Sequence, residues 1–328
     1  MRILLSRTDR IGDLILSTPA IASVRASFPD AHITMVCSPY NSVVMERSTD
    51  IDELAVLPKT GKPAAFGAAF RGDCDLAVAL APREADFALI GATRARQRIG
   101  YTYVRRYVAR FTAWRYLTKL MLSEADPDLS ERDPRRTVRH EVEELLSVVA
   151  LGGATRRVGE LRVTVNDTDR AAITYLPSDP LVLHLGLRWF RDGSTLESTI
   201  ALIAALGRFG LPIVVTYAPE VEMYVESIAR SRVADLLIGG LPFYQWAAVF
   251  ERARVVVTVD TGATHVASAM RRPTVVAFEH RYFRLNSQEW APYGVPSALI
   301  RKPADVAEVS LARFRDDITS AVARLIHA

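Results

Sequence analysis

Val255-Val256-Val257-Thr258-Val259-Asp260-Thr261-Gly262-Ala263-Thr264-His265-Val266-Ala267-Ser268-Ala269-Met270 is the stretch whose reading decides the fold. It opens as a β-branched run without polar alternation, the pattern of a strand buried on both faces. The pattern breaks at Asp260-Thr261-Gly262, and Val266, Ala269 and Met270 follow at helical spacing. Strand, tight turn and helix are therefore predicted in that order. Such a turn lies at the carboxyl end of a parallel strand, where open α/β sheets bind ligands. The first N–H groups of the helix suit an anion, and Gly262 admits a phosphate close to the backbone. Asp260 and His265 add groups that can hydrogen-bond a sugar or a phosphate. An ordinary βα turn with a polar cap fits the same residues, and by themselves they leave both readings open.

The same alternation runs through the whole chain. Residues 2–6 predict a strand, and Arg7-Thr8-Asp9-Arg10-Ile11-Gly12-Asp13 a polar turn. A helix follows, in which Pro19 fits near the first turn or at a kink. Strands are predicted at 32–37, 54–57 and 75–80, with helices at about 40–48 and near 63–70. Residues 123–137 are charged and proline-bearing and predict a loop. A helix at 140–151 stops at Gly152-Gly153, and 152–180 reads as a connector. The second series has strands at 181–185, 212–216 and 234–238 and helices at 195–209, 220–230 and 243–251. It leads into the opening stretch, and a closing helix spans 311–326. Two β–α series in sequence predict an α/β protein with two Rossmann-like parallel-sheet lobes facing a cleft. The lobes are expected at 1–165 and 166–328, with the closing helix a candidate to pack back on the first.

Composition narrows the function. At 328 residues and 49% hydrophobic, the chain can fill two cores, and its net charge of +4 suits anionic ligands or an anionic membrane surface without arguing for nucleic acid. Cys37 ends an apolar run and Cys74 just precedes one, and both read as free thiols of a reducing compartment. The chain opens directly on a strand and has no apolar run of bilayer length, so a soluble, cytoplasmic protein is expected, with peripheral contact at an inner membrane. The first βα turn has one glycine where a dinucleotide-binding dehydrogenase has three, and no P-loop motif occurs. Both of those readings weaken accordingly. Residues 94–119 interleave Arg94, Arg96, Arg98, Arg105, Arg106, Arg110, Arg115 and Lys119 with Tyr101, Tyr103, Tyr107, Phe111, Trp114 and Tyr116. They read either as a solvated helix face with its aromatics turned inward, or as a cationic surface for an anionic substrate or lipid headgroup.

Three places resemble glycosyltransferase family 9, which includes the heptosyltransferases of lipopolysaccharide core assembly. They are Gly12-Asp13 with Pro19-Ala20 beyond, His184-Leu185-Gly186-Leu187-Arg188-Trp189-Phe190-Arg191, and Asp260-Thr261-Gly262-Ala263-Thr264-His265, which is followed by Arg272-Pro273 and an apolar strand. The resemblance implies a GT-B fold, with an acceptor-binding first lobe and a nucleotide-sugar-binding second lobe. It implies inverting transfer of heptose from ADP-heptose to a lipopolysaccharide core or related acceptor. Asp13 stands where the family places its base, though a carboxylate there also complements the helix dipole. Arg191 stands where the family commonly has a lysine and can grip a phosphate, with Arg188 a second candidate. Glu222 matches the ribose-binding position, with Glu220 close by. Asp260, Thr261, Gly262 and His265 complete the expected donor site, and Arg105 and Arg106 are expected at the acceptor.

No cofactor and no metal are expected, because basic groups can neutralise the diphosphate. The nucleotide sugar is a substrate. The chain departs from the family at Glu279-His280-Arg281, where the family has Gly-Pro-Thr. That departure motivates the alternative of an inactive or differently specific sugar-nucleotide-binding protein. A sugar-nucleotide epimerase and a hydride-transfer enzyme rank below it.

Overall fold

The computed structural model describes residues 1–125, 131–133 and 135–327. The loop expected at 123–137 falls partly outside them. Backbone contacts divide the chain into two compact units, Met1–Arg162 and Val163–Ala328.

The first unit runs β1 (Arg2–Arg7), α1 (Ile11–Ser27), β2 (His32–Cys37), β3 (Glu53–Val56), α2 (Pro63–Ala68), β4 (Leu76–Ala79), α3 (Glu84–Ala92), β5 (Gln97–Tyr103), α4 (Tyr107–Tyr116), β6 (Lys119–Ser123) and α5 (Glu141–Ala150). Its six strands are parallel in the order β3-β2-β1-β4-β5-β6. The order reverses between β1 and β4, and ligands of open parallel sheets bind outside the strand ends at such a point. Arg7 to Asp13 lie at that end of β1.

Pro19 sits in the interior of α1. A proline there cannot donate to the carbonyl four residues back. The Thr18 hydroxyl donates to that carbonyl, Ile15 O, at 2.7 Å instead. The same hydroxyl accepts Arg162 N–H at 2.9 Å, which pins the end of the unit to α1.

The second unit runs α6 (Asp167–Ala171), β7 (Leu181–Leu185), α7 (Leu196–Leu206), β8 (Ile213–Tyr217), α8 (Glu222–Ser231), β9 (Leu236–Gly239), α9 (Phe243–Arg252), β10 (Val255–Val259), α10 (Gly262–Ala269), β11 (Thr274–Phe278), α11 (Phe283–Glu289), β12 (Ser297–Arg301) and α12 (Glu308–Leu325). The strands are again parallel, ordered β12-β11-β10-β7-β8-β9, so the reversal falls between β7 and β10. Every residue of β7 and β10 is buried, including His184 and Thr258 within their apolar runs. Val255, Val257 and Val259 share one core with Leu181, Leu183, Leu185 and the α12 side chains Phe314, Ile318 and Val322. Each such burial contributes roughly 1.5–3 kcal/mol. The closing helix thus packs on the sheet of its own unit.

Several expectations change. The helix at about 40–48 is only a 3₁₀ turn, Ser42–Val44. Residues 94–119 are not one helix face but β5, α4 and the start of β6. Nor do their aromatics all turn inward: Tyr101 is buried, whereas Tyr107, Phe111 and Trp114 are exposed. Cys37 and Cys74 are free thiols, the first buried and the second half-buried.

Candidate functional site

The reversal point of the first unit holds a cluster of charge around one buried cation. Arg7 ends β1 at 2% exposure. Its Nη1 donates to Glu141 Oε1 at 2.9 Å and to the Leu80 carbonyl beyond β4. Its Nε donates to Asp9 at 3.0 Å, and its Nη2 lies 3.6 Å from Asp13 Oδ1. Burial disfavours the guanidinium charge, but Asp9, Glu141 and Asp13 around it raise its pKa well above the ordinary value. Tyr101 O–H donates to the same Glu141 oxygen at 2.7 Å.

Asp13 lies in the first turn of α1 with about a fifth of its side chain (21%) exposed. Burial pushes its carboxyl up to about 7; Arg7 and Arg10 pull against this, while Asp9 and Glu141 add to it. At 3.6 Å the Arg7 contact is an ion pair beyond hydrogen-bond length. A carboxylate held near neutral affinity suits a general base. Asp86, buried on α3, is pushed by burial up to about 6, although the Ser6 and Thr8 hydroxyls donate to it. Asp9, the nearest rival base, is held by Arg7 Nε.

Arg105 and Arg106 follow β5 and are exposed. They line a cavity of about 580 Å³ with Pro82, Glu84, Phe87, Tyr107 and Thr112, at the carboxyl ends of β4 and β5. The Arg106 guanidinium lies 4.4 Å from the centre of the Tyr103 ring.

In the second unit the turns after β7 and β10 meet at the reversal point. Gly186 approaches so closely that a Cβ there would lie 3.1 Å from Thr261 Cγ2. Arg188 Nη1 donates to the Asp260 carbonyl at 2.7 Å and to the Asp260 carboxylate, and its Nε lies 3.1 Å from Glu279 Oε1. Arg188 therefore ties three turns together, including the one at which the chain departs from the family pattern. Arg191 differs from it. Its side chain is 54% exposed and forms a loose ion pair with Asp192, at 3.8 Å. Of the two arginines it is the better placed to turn toward a phosphate.

Lys302, just past β12, lies beneath this turn at 1% exposure. Its ammonium donates to the Arg188 and Arg191 carbonyls. Burial lowers its pKa to about 8, with Asp192 and Glu279 opposing the fall. Asp192 and Gly193 take positive φ, and a Cβ at Gly193 would strike the Pro303 carbonyl at 1.9 Å, so the turn is fixed against the end of β12.

Thr261 caps α10 with its backbone extended and without a side-chain cap, so the first N–H groups of the helix head the Asp260 turn. His265 is buried one turn into that helix. Glu222 opens α8, Glu220 lies in the turn before it, and both are exposed. Tyr224 of α8 stacks on Phe190 with ring centres 4.0 Å apart, which links α8 to the Arg191 turn. His184 is a core residue: burial lowers its pKa to about 4, its Nδ1 is 2.9 Å from the Thr216 hydroxyl, and its ring packs on Trp246. Among the described residues no group of three or more His, Cys, Asp and Glu is arranged to hold a metal ion.

The family model of glycosyltransferase family 9 (heptosyltransferase) matches residues 200–304. That match covers 105 of the 328 residues and lies within the second unit. The matched segment includes Glu222, Asp260, Thr261, Gly262, His265 and Lys302; Asp13, Arg105, Arg106, Arg188 and Arg191 lie outside it. A family 9 glycosyltransferase from Veillonella parvula has the same fold, with a TM-score of 0.79 at 20% identity, covering 99% of this chain and 97% of the other. The E. coli ADP-heptose lipopolysaccharide heptosyltransferase II aligns at 0.75 with 15% identity, covering 100% and 99%. E. coli heptosyltransferase WaaC with ADP aligns at 0.68 with 17% identity over the whole of both chains. No curated protein matches the sequence. Over residues 200–304 in sequence, and over the whole chain in fold, this protein is similar to family 9 glycosyltransferases.

The sequence singled out Asp13 and the Asp260 and Arg188 turns, which the structure places at the two reversal points, but not Arg7, Glu141, Asp86 and Lys302 as site residues. Each of the four acts through partners distant in sequence. A signal was available only for Lys302, a lone lysine after an apolar strand.

Proposed function

We propose that the protein is an inverting glycosyltransferase that moves a heptose from ADP-heptose to a hydroxyl of a lipopolysaccharide core or related anionic glycolipid. The observation that carries this reading is the Asp13 carboxylate at the strand-order reversal of the first sheet, in the first turn of α1 and 3.6 Å from the Arg7 guanidinium.

In such a transfer the acceptor oxygen attacks the anomeric carbon, its bond to the leaving diphosphate breaks, and configuration inverts. Asp13 takes the hydroxyl proton as the new bond forms. The diphosphate gathers charge as it leaves, and Arg191 with the N–H groups of Thr261-Gly262-Ala263 stabilises it. Glu222 or Glu220 takes the ribose hydroxyls. Arg105 and Arg106 hold acidic groups of the acceptor in the cavity beside α4. No cofactor is needed.

An epimerase shares the fold: the UDP-GlcNAc 2-epimerase from Methanocaldococcus jannaschii aligns with a TM-score of 0.60 at 11% identity. The family 9 match favours transfer over epimerisation. The test is ADP release from ADP-heptose with and without a deacylated core oligosaccharide. Acceptor-dependent release with inversion supports the reading. Binding without release marks an inactive binder, and release of a different nucleotide from its own sugar donor marks another donor.

A further inference from the structure

Helix α4 carries its large apolar side chains on the outside. Tyr107, Val108, Phe111 and Trp114 are 72%, 82%, 65% and 58% exposed, and their spacing of i, i+1, i+4 and i+7 puts them in one stripe. The helix is not loose: Ala113 and Leu117 on its other side enter the core of the first unit. Aromatic side chains in water forgo the burial that stabilises most of their kind, so a stripe of them marks a contact surface.

Charge says which contact. Residues 97–123 contain five arginines and one lysine and no Asp or Glu. Arg98 is turned to the protein: its Nε donates to the Tyr116 carbonyl and its Nη1 to the Ala95 carbonyl. Lys119 likewise donates to the Leu151 carbonyl. Arg105, Arg106 and Arg115 are exposed beside the stripe, whereas Arg110 is half-buried, its Nη1 donating to the Val104 carbonyl at 3.1 Å and its guanidinium 5.8 Å from the Tyr107 ring centre and 5.5 Å from that of Trp114. Glu84 is the one acidic residue in the lining of the cavity that holds Arg105 and Arg106. Aromatic and aliphatic side chains flanked by arginine fit the boundary between acyl chains and anionic headgroups. Among the described residues no helix is long and apolar enough to cross a membrane, so the contact is a surface one.

We propose that α4 is an interfacial anchor that inserts Tyr107, Val108, Phe111 and Trp114 into an anionic bilayer, with Arg115 on the headgroups. The cavity lined by Arg105 and Arg106 shares Tyr107 and Val108 with the stripe. A glycolipid can then enter that cavity by its polar head while its acyl chains stay in the membrane. This consequence rests on the acceptor reading above, whereas the anchoring itself does not.

The test is co-sedimentation of the full chain with vesicles of phosphatidylglycerol in phosphatidylcholine and with pure phosphatidylcholine. Binding to the first, weakened by salt, and at least about tenfold weaker binding to the second are expected. Phe111→Ser with Trp114→Ser, and separately Arg115→Glu, should each lower the partition coefficient about tenfold or more. ADP binding and the melting temperature should stay as in the wild type, because these side chains are exposed. Brominated acyl chains should quench tryptophan emission in the wild type and lose most of that effect in Trp114→Phe, which still sediments with vesicles.

Equal binding of both vesicle types, or no binding, overturns the proposal. So does loss of binding in free glycerol phosphate at headgroup concentration, which would mean a soluble phosphate site. A monomer–dimer shift without lipid that the Phe111→Ser, Trp114→Ser variant abolishes, together with no vesicle binding, would assign the stripe to a second copy and also overturn it. Vesicle binding without sugar transfer would leave the anchor standing and remove only the transferase reading.

Discussion

Arg7 Nη2 stands 3.6 Å from Asp13 Oδ1, close enough to hold the carboxylate and too far to share its proton in a hydrogen bond. The same guanidinium is engaged at 2.9–3.0 Å by Glu141 and Asp9. One cation therefore serves three carboxylates, and Asp13 receives the weakest share.

The acid limb of kcat/KM should follow Asp13. Its carboxyl is raised to about 7, so the ionised base is lost as pH falls through that value. Activity should fall about tenfold for each pH unit below it. Glu141 adds to the rise of Asp13, so Glu141→Gln should move the limb to lower pH while keeping the shape that accepts from Arg7 and Tyr101. A pH–rate profile of both proteins checks the direction. A limb that does not move would separate Glu141 from the base.

Stability carries the opposite sign. A carboxyl raised from 3.8 to about 7 on folding costs the native state stability when ionised, above pH 7, and the cost fades as pH falls toward 3.8. Asp13→Asn should therefore melt higher than the wild type at pH 8, with the difference shrinking toward pH 5. Thermal melts across that range measure it.

The two arginines after β7 should behave differently. Arg191→Ala should weaken ADP binding by about 1.5–3 kcal/mol, the scale of a charge-assisted phosphate contact, and leave the melting temperature unchanged. Arg188→Ala removes the cation that joins Asp260 to Glu279 and should lower stability by about 1–3 kcal/mol as well as loosening ADP. Calorimetric titration beside thermal melts separates the two patterns.

Lys302→Met should act on the donor site from beneath. It keeps the apolar length of the side chain and removes the ammonium that holds the Arg188 and Arg191 carbonyls. ADP affinity should drop, while acceptor KM, assigned to the first unit, stays put. Steady-state kinetics with each substrate varied in turn makes the measurement.

Much of this was legible in the sequence because it is local. Val255 to Met270 spells a buried strand, a glycine turn and a helix within sixteen residues, and the β–α alternation around it follows from burial period alone. The segment β5–α4–β6 was not legible, because Arg98 and Lys119 spend their polar ends on backbone carbonyls while Tyr107, Phe111 and Trp114 stay outside. Neither choice follows from residue type. The tuning of Asp13 was not legible either. Arg7 meets Glu141 across 134 residues and Lys302 meets Arg188 across 114, and no local pattern encodes pairings of that range.

ADP or an ADP-sugar should raise the melting temperature more than UDP or GDP does at equal concentration, since a ligand of the folded state stabilises it more the tighter it binds. The basis is the family 9 match together with the anion-ready start of α10. A clear preference for UDP or GDP would leave the fold and Asp13 untouched and change the donor.

The central claim is that Asp13 is the base, and the most direct measurement is kcat of Asp13→Asn at saturating ADP-heptose and acceptor, beside its ADP dissociation constant. Asparagine keeps the size of the side chain and cannot take the proton. The account predicts a fall of about 10²–10⁴ in kcat with ADP affinity within about twofold of wild type, since the diphosphate contacts are assigned to the second unit. Near-normal kcat in Asp13→Asn, with collapse in Asp9→Asn or Asp86→Asn, would contradict it and move the base to the other carboxylate.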